Sequence, residues 1–378
     1  MTKIGISGTG FIATGLYKRL QQDEEFTVSS VLTRRKPEDV VQIETMLLTN
    51  DIGKFVASAD IIVECSGDVH HGTEVIEEAH RMGLPVVTMN AELQVTTGSY
   101  FIKTGYITEA EGDQPGCLAA LNENVKAMGF NPIVYGNIKG FLNNNPIKSD
   151  MLYWAEKQGF TLDKVVSFTD GTKVQIEQVL TANGLNATIA QSGLIGPKSS
   201  NVEEGALILA GHQTGEAPIS DFIICPQGPP GVFIAASHEE VQKNALATYK
   251  MGEGPYYTIG TSFHLCFFEI VKTLRRVVKG EPPLLTNGSD PLISAAAIAK
   301  RKLEPGDFIS EGCGSFEVRG EAVKTALQPD HIPIGLIKDA VVKRPVAAGK
   351  ILNISDLELP HSRALSIWKS LQTASEVR

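Results

Sequence analysis

Six residues near the start of the chain, Gly8-Thr9-Gly10-Phe11-Ile12-Ala13, have the spacing G-x-G-x-x-A. They follow an apolar run, Lys3–Ser7, that reads as a strand. They open Phe11–Gln22, a helical pattern with Leu16 and Leu20 on one side. In a strand–turn–helix the first glycine permits a tight turn and the second lets the backbone approach a pyrophosphate. The alanine then allows close helix–strand packing. The helix N-terminus adds free N–H groups and a positive dipole end, which suit a phosphate. The chemistry expected here is dinucleotide binding, with Gly8, Gly10, Phe11 and Ile12 in contact.

The second strand, Phe26–Leu32, bears on which dinucleotide. An NAD site offers an acid about 20 residues on, for the ribose 2′-hydroxyl. Here the strand ends in Thr33-Arg34-Arg35-Lys36, with no acid before Glu38. A hydroxyl and two guanidiniums suit a 2′-phosphate, so NADP is expected, with NAD also possible. Ser66 and Gly67, after the strand Ile61–Glu64, are expected at the adenosine phosphates or ribose. Asn90, after the strand Pro85–Met89, is expected nearer the nicotinamide.

Carbonyl reduction also needs a proton donor or fixed cation beside the developing alkoxide. Lys139 and Lys173 are the candidates: the first follows a strand, the second follows the Asp170-Gly171 turn. Asp170 and Glu177 flank Lys173 and could orient it, or hold a divalent cation with substrate oxygens; the metal stays open. His264, before the apolar run Leu265–Phe268, could bind substrate, or it could be a structural histidine.

The 378 residues carry 34 Lys and Arg against 43 Asp and Glu, a net charge of −9. That balance, with no basic run of five, argues against nucleic acid as a partner. Five scattered cysteines without a C-x-x-C pair argue against a disulfide framework or zinc knuckle. No apolar run approaches the length that spans a bilayer. A cytoplasmic protein with a small-molecule substrate is expected, and a homo-oligomer.

Strand and helix patterns alternate through the first part of the chain, which predicts a parallel sheet covered by helices on both faces. The remaining elements expected there are helices over Val40–Leu48, Gly72–Met82 and Pro115–Met128, and a strand over Ile133–Gly136. The fold class is therefore α/β. Residues 1–138 form a doubly wound Rossmann domain and 139–284 an α+β substrate domain. Within the latter, Gly260–Val278 reads as a helix that packs back on the first domain. Residues 285–378 form a small β-rich unit beyond the linker at Gly280–Pro283.

The segments Ile61–Gly67 and Pro85–Asn90 resemble the dinucleotide domain of homoserine dehydrogenases. Ser167–Lys173, Lys250–Pro255 and His264-Leu265 with Glu269 are similar to homoserine dehydrogenase-like oxidoreductases with a C-terminal SAF domain. That family includes the deoxyxylulose-phosphate reductoisomerase-like proteins. The resemblance implies catalytic roles for Lys139 and Lys173. It puts Asp113, Gln114 and Pro115 where relatives carry the nicotinamide loop. It also implies a SAF-like unit over 285–378. In true homoserine dehydrogenases a Lys directly follows the Asn at the end of the Thr88–Asn90 strand, and this chain has Ala91-Glu92 there. The implied activity is NADP-dependent oxidation or reduction of a small polar hydroxy or keto compound, such as a sugar-derived acid or phosphate. A reductoisomerase, or a non-catalytic NADP-binding sensor or scaffold, are the alternatives.

Overall fold

The computed structural model describes residues 1–376. From the N-terminus run β1 (Thr2–Ser7), α1 (Phe11–Leu20), β2 (Phe26–Leu32), β3 (Leu48–Thr49), α2 (Ile52–Ala57), β4 (Ile61–Glu64), α3 (Val69–Arg81) and β5 (Val86–Thr88). Next come α4 (Ala91–Leu93), a π-helical turn over Gln94–Gly98, α5 (Ser99–Phe101), β6 (Ile107–Glu109) and α6 (Gln114–Ala127). β7 (Asn131–Lys139), α7 (Lys148–Gln158), α8 (Leu162–Thr169), α9 (Thr172–Gly184), α10 (Val202–Ala210), β8 (Ile219–Ile224) and β9 (Val232–Ser237) follow. The chain continues through α11 (Lys243–Thr248), β10 (Tyr256–Gly260), α12 (Ile270–Val278), β11 (Ile293–Ala299), β12 (Phe308–Ile309) and β13 (Val318–Lys324). It finishes with β14 (Ala340–Val342), β15 (Leu357–Glu358) and α13 (Arg363–Glu376).

Contacts divide the chain into two units. The first takes residues up to Cys117, His264–Asp290 and the segment from Ser362 on; the second takes Leu118–Phe263 and Pro291–His361. The cut falls inside α6, not at 138, and the β-rich segment groups with the second unit instead of forming a third. Among the described residues no helix is long and apolar enough to cross a membrane.

In the first unit six parallel strands lie in the order β3-β2-β1-β4-β5-β6. The order reverses between β1 and β4, which opens a crevice at the carboxyl ends of those strands, where α/β sheets bind ligands. Ile4, Ile6, Val63 and Val87 from the strands meet Leu16 and Leu20 of α1 and Ile270, Val271 and Leu274 of α12 in one core. The expected helix over Val40–Leu48 is absent: only Thr45–Leu47 makes a 3₁₀ turn. Val40 and Ile43 are buried while Val41 is 88% exposed, so a three-residue apolar spacing is satisfied by turns.

The second unit centres on a four-stranded sheet, β10-β9-β7-β8, parallel only between β7 and β8. β7 therefore belongs to this sheet and does not extend the first one, as the alternation suggested. Gly260–Val278 is not one helix: β10 ends at Gly260, Cys266–Phe268 is a 3₁₀ turn and only α12 is helical. α9 contacts β7 and β8 on one side and β11 and β13 on the other. A helix enclosed on both sides must pair its polar groups. Gln175 donates to the Gly193 carbonyl and accepts from Ala322 N, and Thr172 accepts from Gly320 N. Asn183 donates to the Ile293 carbonyl.

Asp221 of β8 is a buried acid of the same unit. It accepts from the backbone N–H groups of Ile195 (2.9 Å), Gly196 (3.0 Å) and Phe222 (2.8 Å). Burial nevertheless pushes its carboxyl from 3.8 up to about 6. A raised folded-state value stabilises the fold at low pH, and the contribution is lost as pH rises through about 6. The shift corresponds to on the order of 3 kcal/mol. Asp221→Asn should flatten this decline, read as a smaller difference in urea unfolding free energy between pH 3.5 and pH 7.5. An unchanged difference would mean that Asp221 does not cause it.

Candidate functional site

The opening turn has the geometry a dinucleotide needs. Gly8 lies at φ +115, and a Cβ there would sit 3.0 Å from both the Cys65 carbonyl oxygen and Ser66 Cα. The turn runs against the end of β4, and a side chain would fill the cradle. Gly10 is the N-cap of α1 and supplies no side-chain cap, which leaves that helix end to an anion. Ala13 is fully buried, and a Cβ on Gly15 would lie 2.4 Å from the Phe267 ring. Ile12 packs against the core, while Phe11 is 56% exposed and meets Phe267 edge-on at 5.6 Å.

The basic turn after β2 borders a cavity of about 600 Å³ lined by Thr33, Arg34, Arg35, Lys36, Asn50 and His71, among others. Asn50 donates its amide to the Thr33 and Arg35 carbonyls and so holds the turn in shape. Arg34 donates to Asp68 at 2.7 Å, and Asp68 also caps α3 by accepting from His71 N at 3.0 Å. Burial, then the Arg34 charge, lowers the His71 imidazole from its usual range. Thr33 is 3% exposed, and its hydroxyl accepts from Arg35 N at 3.1 Å. The hydroxyl expected at the phosphate therefore braces the turn, Arg34 is paired with Asp68, and Arg35 and Lys36 line the cavity. The residues present fit a phosphorylated adenosine ribose.

Gly67, at φ +68, faces open space, and Ser66 bonds back to Glu64. Asn90 is the N-cap of α4, with Oδ1 accepting from Leu93 N at 3.1 Å. Asp113 and Gln114 are 4% and 2% exposed and Pro115 is buried too. Gly112 beside them, at φ +117, is so close to the Cys266 carbonyl that a Cβ would lie 2.2 Å from it. The structure encloses this expected cofactor loop. His264 sits in the first unit with Nδ1 3.2 Å from the Gly112 carbonyl oxygen, bracing that segment.

The other four predicted catalytic residues belong to the second unit. Three of them converge. The fully buried Glu177 of α9 pairs with Lys173 Nζ at 2.9 Å through Oε1 and with Lys139 Nζ at 3.3 Å through Oε2. Lys173 and Glu177 are one helical turn apart, and Lys139 closes β7. Asn137, two residues before Lys139 on the same face of β7, donates to Glu177 Oε2 at 2.9 Å. Sequence reasoning missed Asn137, although the two-residue strand period would have found it. The lysine side chains keep 22% and 36% exposure, so the two cations held by one buried carboxylate are partly open to solvent. Such a cluster can hold an oxyanion or donate a proton to one.

Asp170 does not join the cluster. Its side chain is fully buried, and its oxygens accept from Thr172 N at 2.8 Å and Lys300 Nζ at 2.6 Å. The Asp170-Gly171 turn links α8 to α9 and does not end a strand. No group of three or more His, Cys, Asp or Glu suited to a metal occurs among the described residues.

Residues 8–101 match the family model of the homoserine dehydrogenase NAD binding domain, and residues 112–270 match that of the oxidoreductase DRL catalytic domain. The fold is similar to that of a probable dehydrogenase from Thermotoga maritima, at 11% identity over 75% of this chain and 91% of that one, TM-score 0.44. A dehydrogenase from Clostridium difficile is 13% identical over 75% and 92%, TM-score 0.41. UDP-N-acetylglucosamine 3-dehydrogenase from Acidithiobacillus ferrooxidans is 10% identical over 76% and 92%, TM-score 0.41. No match was found among curated proteins. The chain thus carries a nicotinamide-dinucleotide-binding domain and an oxidoreductase catalytic domain.

Proposed function

We propose that this NAD(P)-dependent oxidoreductase uses NADP and acts on a small polar hydroxy or keto compound, such as a sugar-derived acid or phosphate. The observation that carries the substrate side is Glu177 holding Lys139 and Lys173 together, at 3.3 and 2.9 Å. When bound, the nicotinamide supplies or takes up the hydride. Gly8, Gly10 and the α1 N-terminus hold the diphosphate bridge, and Arg34, Arg35 and Lys36 the 2′-phosphate. Lys173, the more exposed lysine, donates the proton to the oxygen of the reduced carbonyl. Lys139 stays as a fixed charge beside it, and Asn137 and Glu177 position both ammonium groups. The net positive charge of the lysines favours a substrate with an anionic or oxygen-rich end.

Titrating NADPH and NADH into the intact chain and into an Arg34→Glu, Arg35→Glu double variant tests the cofactor assignment. Charge-assisted bonds contribute about 1.5–3 kcal/mol each. The double variant should therefore weaken NADPH by about 100-fold or more and NADH by only a few-fold. Equal losses would contradict a 2′-phosphate contact.

A further inference from the structure

Ser7, Glu64, Thr88 and Glu109 share one register row across β1, β4, β5 and β6, at the carboxyl edge of the parallel sheet. Glu64 is fully buried there. A buried carboxylate is costly, and an apolar residue of similar size would suit a sheet core better. Its Oε1 accepts from Ser66 N at 2.9 Å and from the Ser66 hydroxyl. That hydroxyl in turn accepts from Asp68 N at 3.3 Å, so the chain from Glu64 to the start of α3 hangs on one carboxylate. Ser66 Cα and the Cys65 carbonyl oxygen form a wall against Gly8, each 3.0 Å from where a Cβ on Gly8 would lie. On the other side Gly72 of α3 makes room, since a Cβ there would lie 3.0 Å from Glu64 Cδ.

We propose that Glu64 is a positioning residue for the dinucleotide: its buried carboxylate fixes the Cys65-Ser66-Gly67 turn as the wall of the Gly8 cradle. This rests on the nucleotide site described above but not on the choice between NADP and NAD, because the diphosphate bridge is common to both. Burial raises the Glu64 carboxyl from 4.5 to about 6, against the pull of the Ser66 donors and the Asn90 side chain. Two hydrogen bonds from Ser66 tie this buried group to the turn, and the Asn90 side chain beyond β5 is its further partner.

Glu64→Leu removes the buried charge and both bonds to Ser66 while keeping the volume, and Glu64→Gln keeps an acceptor at Oε1. Glu64→Leu should keep or raise the melting temperature of the nucleotide-free protein, yet raise the dissociation constants of NADPH and NADH by the same factor, about tenfold or more. Glu64→Gln should stay within about threefold of the parent for both. Unchanged affinities in Glu64→Leu, or an equal loss in Glu64→Gln, would overturn the role. Glu64→Met carries the same expectation should the leucine variant fail to fold. Failure of the parent chain to bind either nucleotide would instead remove the site itself, which separates the two claims.

Discussion

Lys173→Ala is expected to lower turnover of any carbonyl compound the enzyme reduces by about 10²–10⁴-fold, the range for losing a positioned general acid. Nucleotide affinity should stay near the parent value, because Lys173 is assigned to the substrate oxygen and not to the diphosphate or the 2′-phosphate. The alanine also leaves Glu177 Oε1 without its 2.9 Å ammonium partner, but Lys139 and Asn137 still hold Oε2. The fold should therefore tolerate the change. Lys139→Ala should cost less, about 10²-fold, as expected for removing a fixed charge and not the proton donor. Steady-state NADPH oxidation at 340 nm, with nucleotide binding measured separately, distinguishes the two. Turnover unchanged in both variants would remove the lysines from the chemistry.

The largest stability effect is expected at Lys300. Its side chain is 4% exposed and donates to Asp170, whose side chain is fully enclosed. Lys300 also donates to the Ser315 carbonyl, so one ammonium ties the α8–α9 turn to the β-rich segment. Lys300→Met leaves an uncompensated carboxylate in the interior, at a cost of about 3–5 kcal/mol. Pairing it with Asp170→Asn should recover most of that loss. The amide oxygen can still accept from Thr172 N, now 2.8 Å from the carboxylate, and no buried charge remains. Urea unfolding of the four proteins in the double-mutant cycle measures the coupling. A single variant as stable as the parent would show the pair to be dispensable.

Four strands of the first unit's sheet, β1, β2, β4 and β5, were legible because each is a short apolar run bounded by turn residues, while the short edge strands β3 and β6 were not read. The G-x-G-x-x-A turn was readable for the same reason: its glycines are required by backbone contacts within a few residues. What sequence could not show is pairing across distance. Lys300 and Asp170 lie 130 residues apart, and nothing local to either marks the other. Asp170 therefore read as a group that could orient Lys173 or hold a cation, whereas its carboxylate is paired with Lys300 in the interior. β7 continued the strand–helix alternation, yet its partners β8 and β9 lie about 90 residues further on, so its sheet could not be assigned from pattern. Gly260–Val278 merged into one helix because the apolar run Leu265–Phe268 bridges a strand end and a true helix. The Lys173–Glu177 pair was recoverable from helical spacing, but the arrival of Lys139 at the same carboxylate was not.

The central claim is that the opening glycine turn holds a nicotinamide dinucleotide, with the basic turn after β2 selecting the phosphorylated form. Calorimetric titration of the intact chain with NADPH and then NADH tests it most directly. The account predicts saturable one-site binding of NADPH and weaker binding of NADH by about tenfold or more, in line with a charge-assisted contact. Absence of heat with either nucleotide, from protein that unfolds cooperatively, would contradict it.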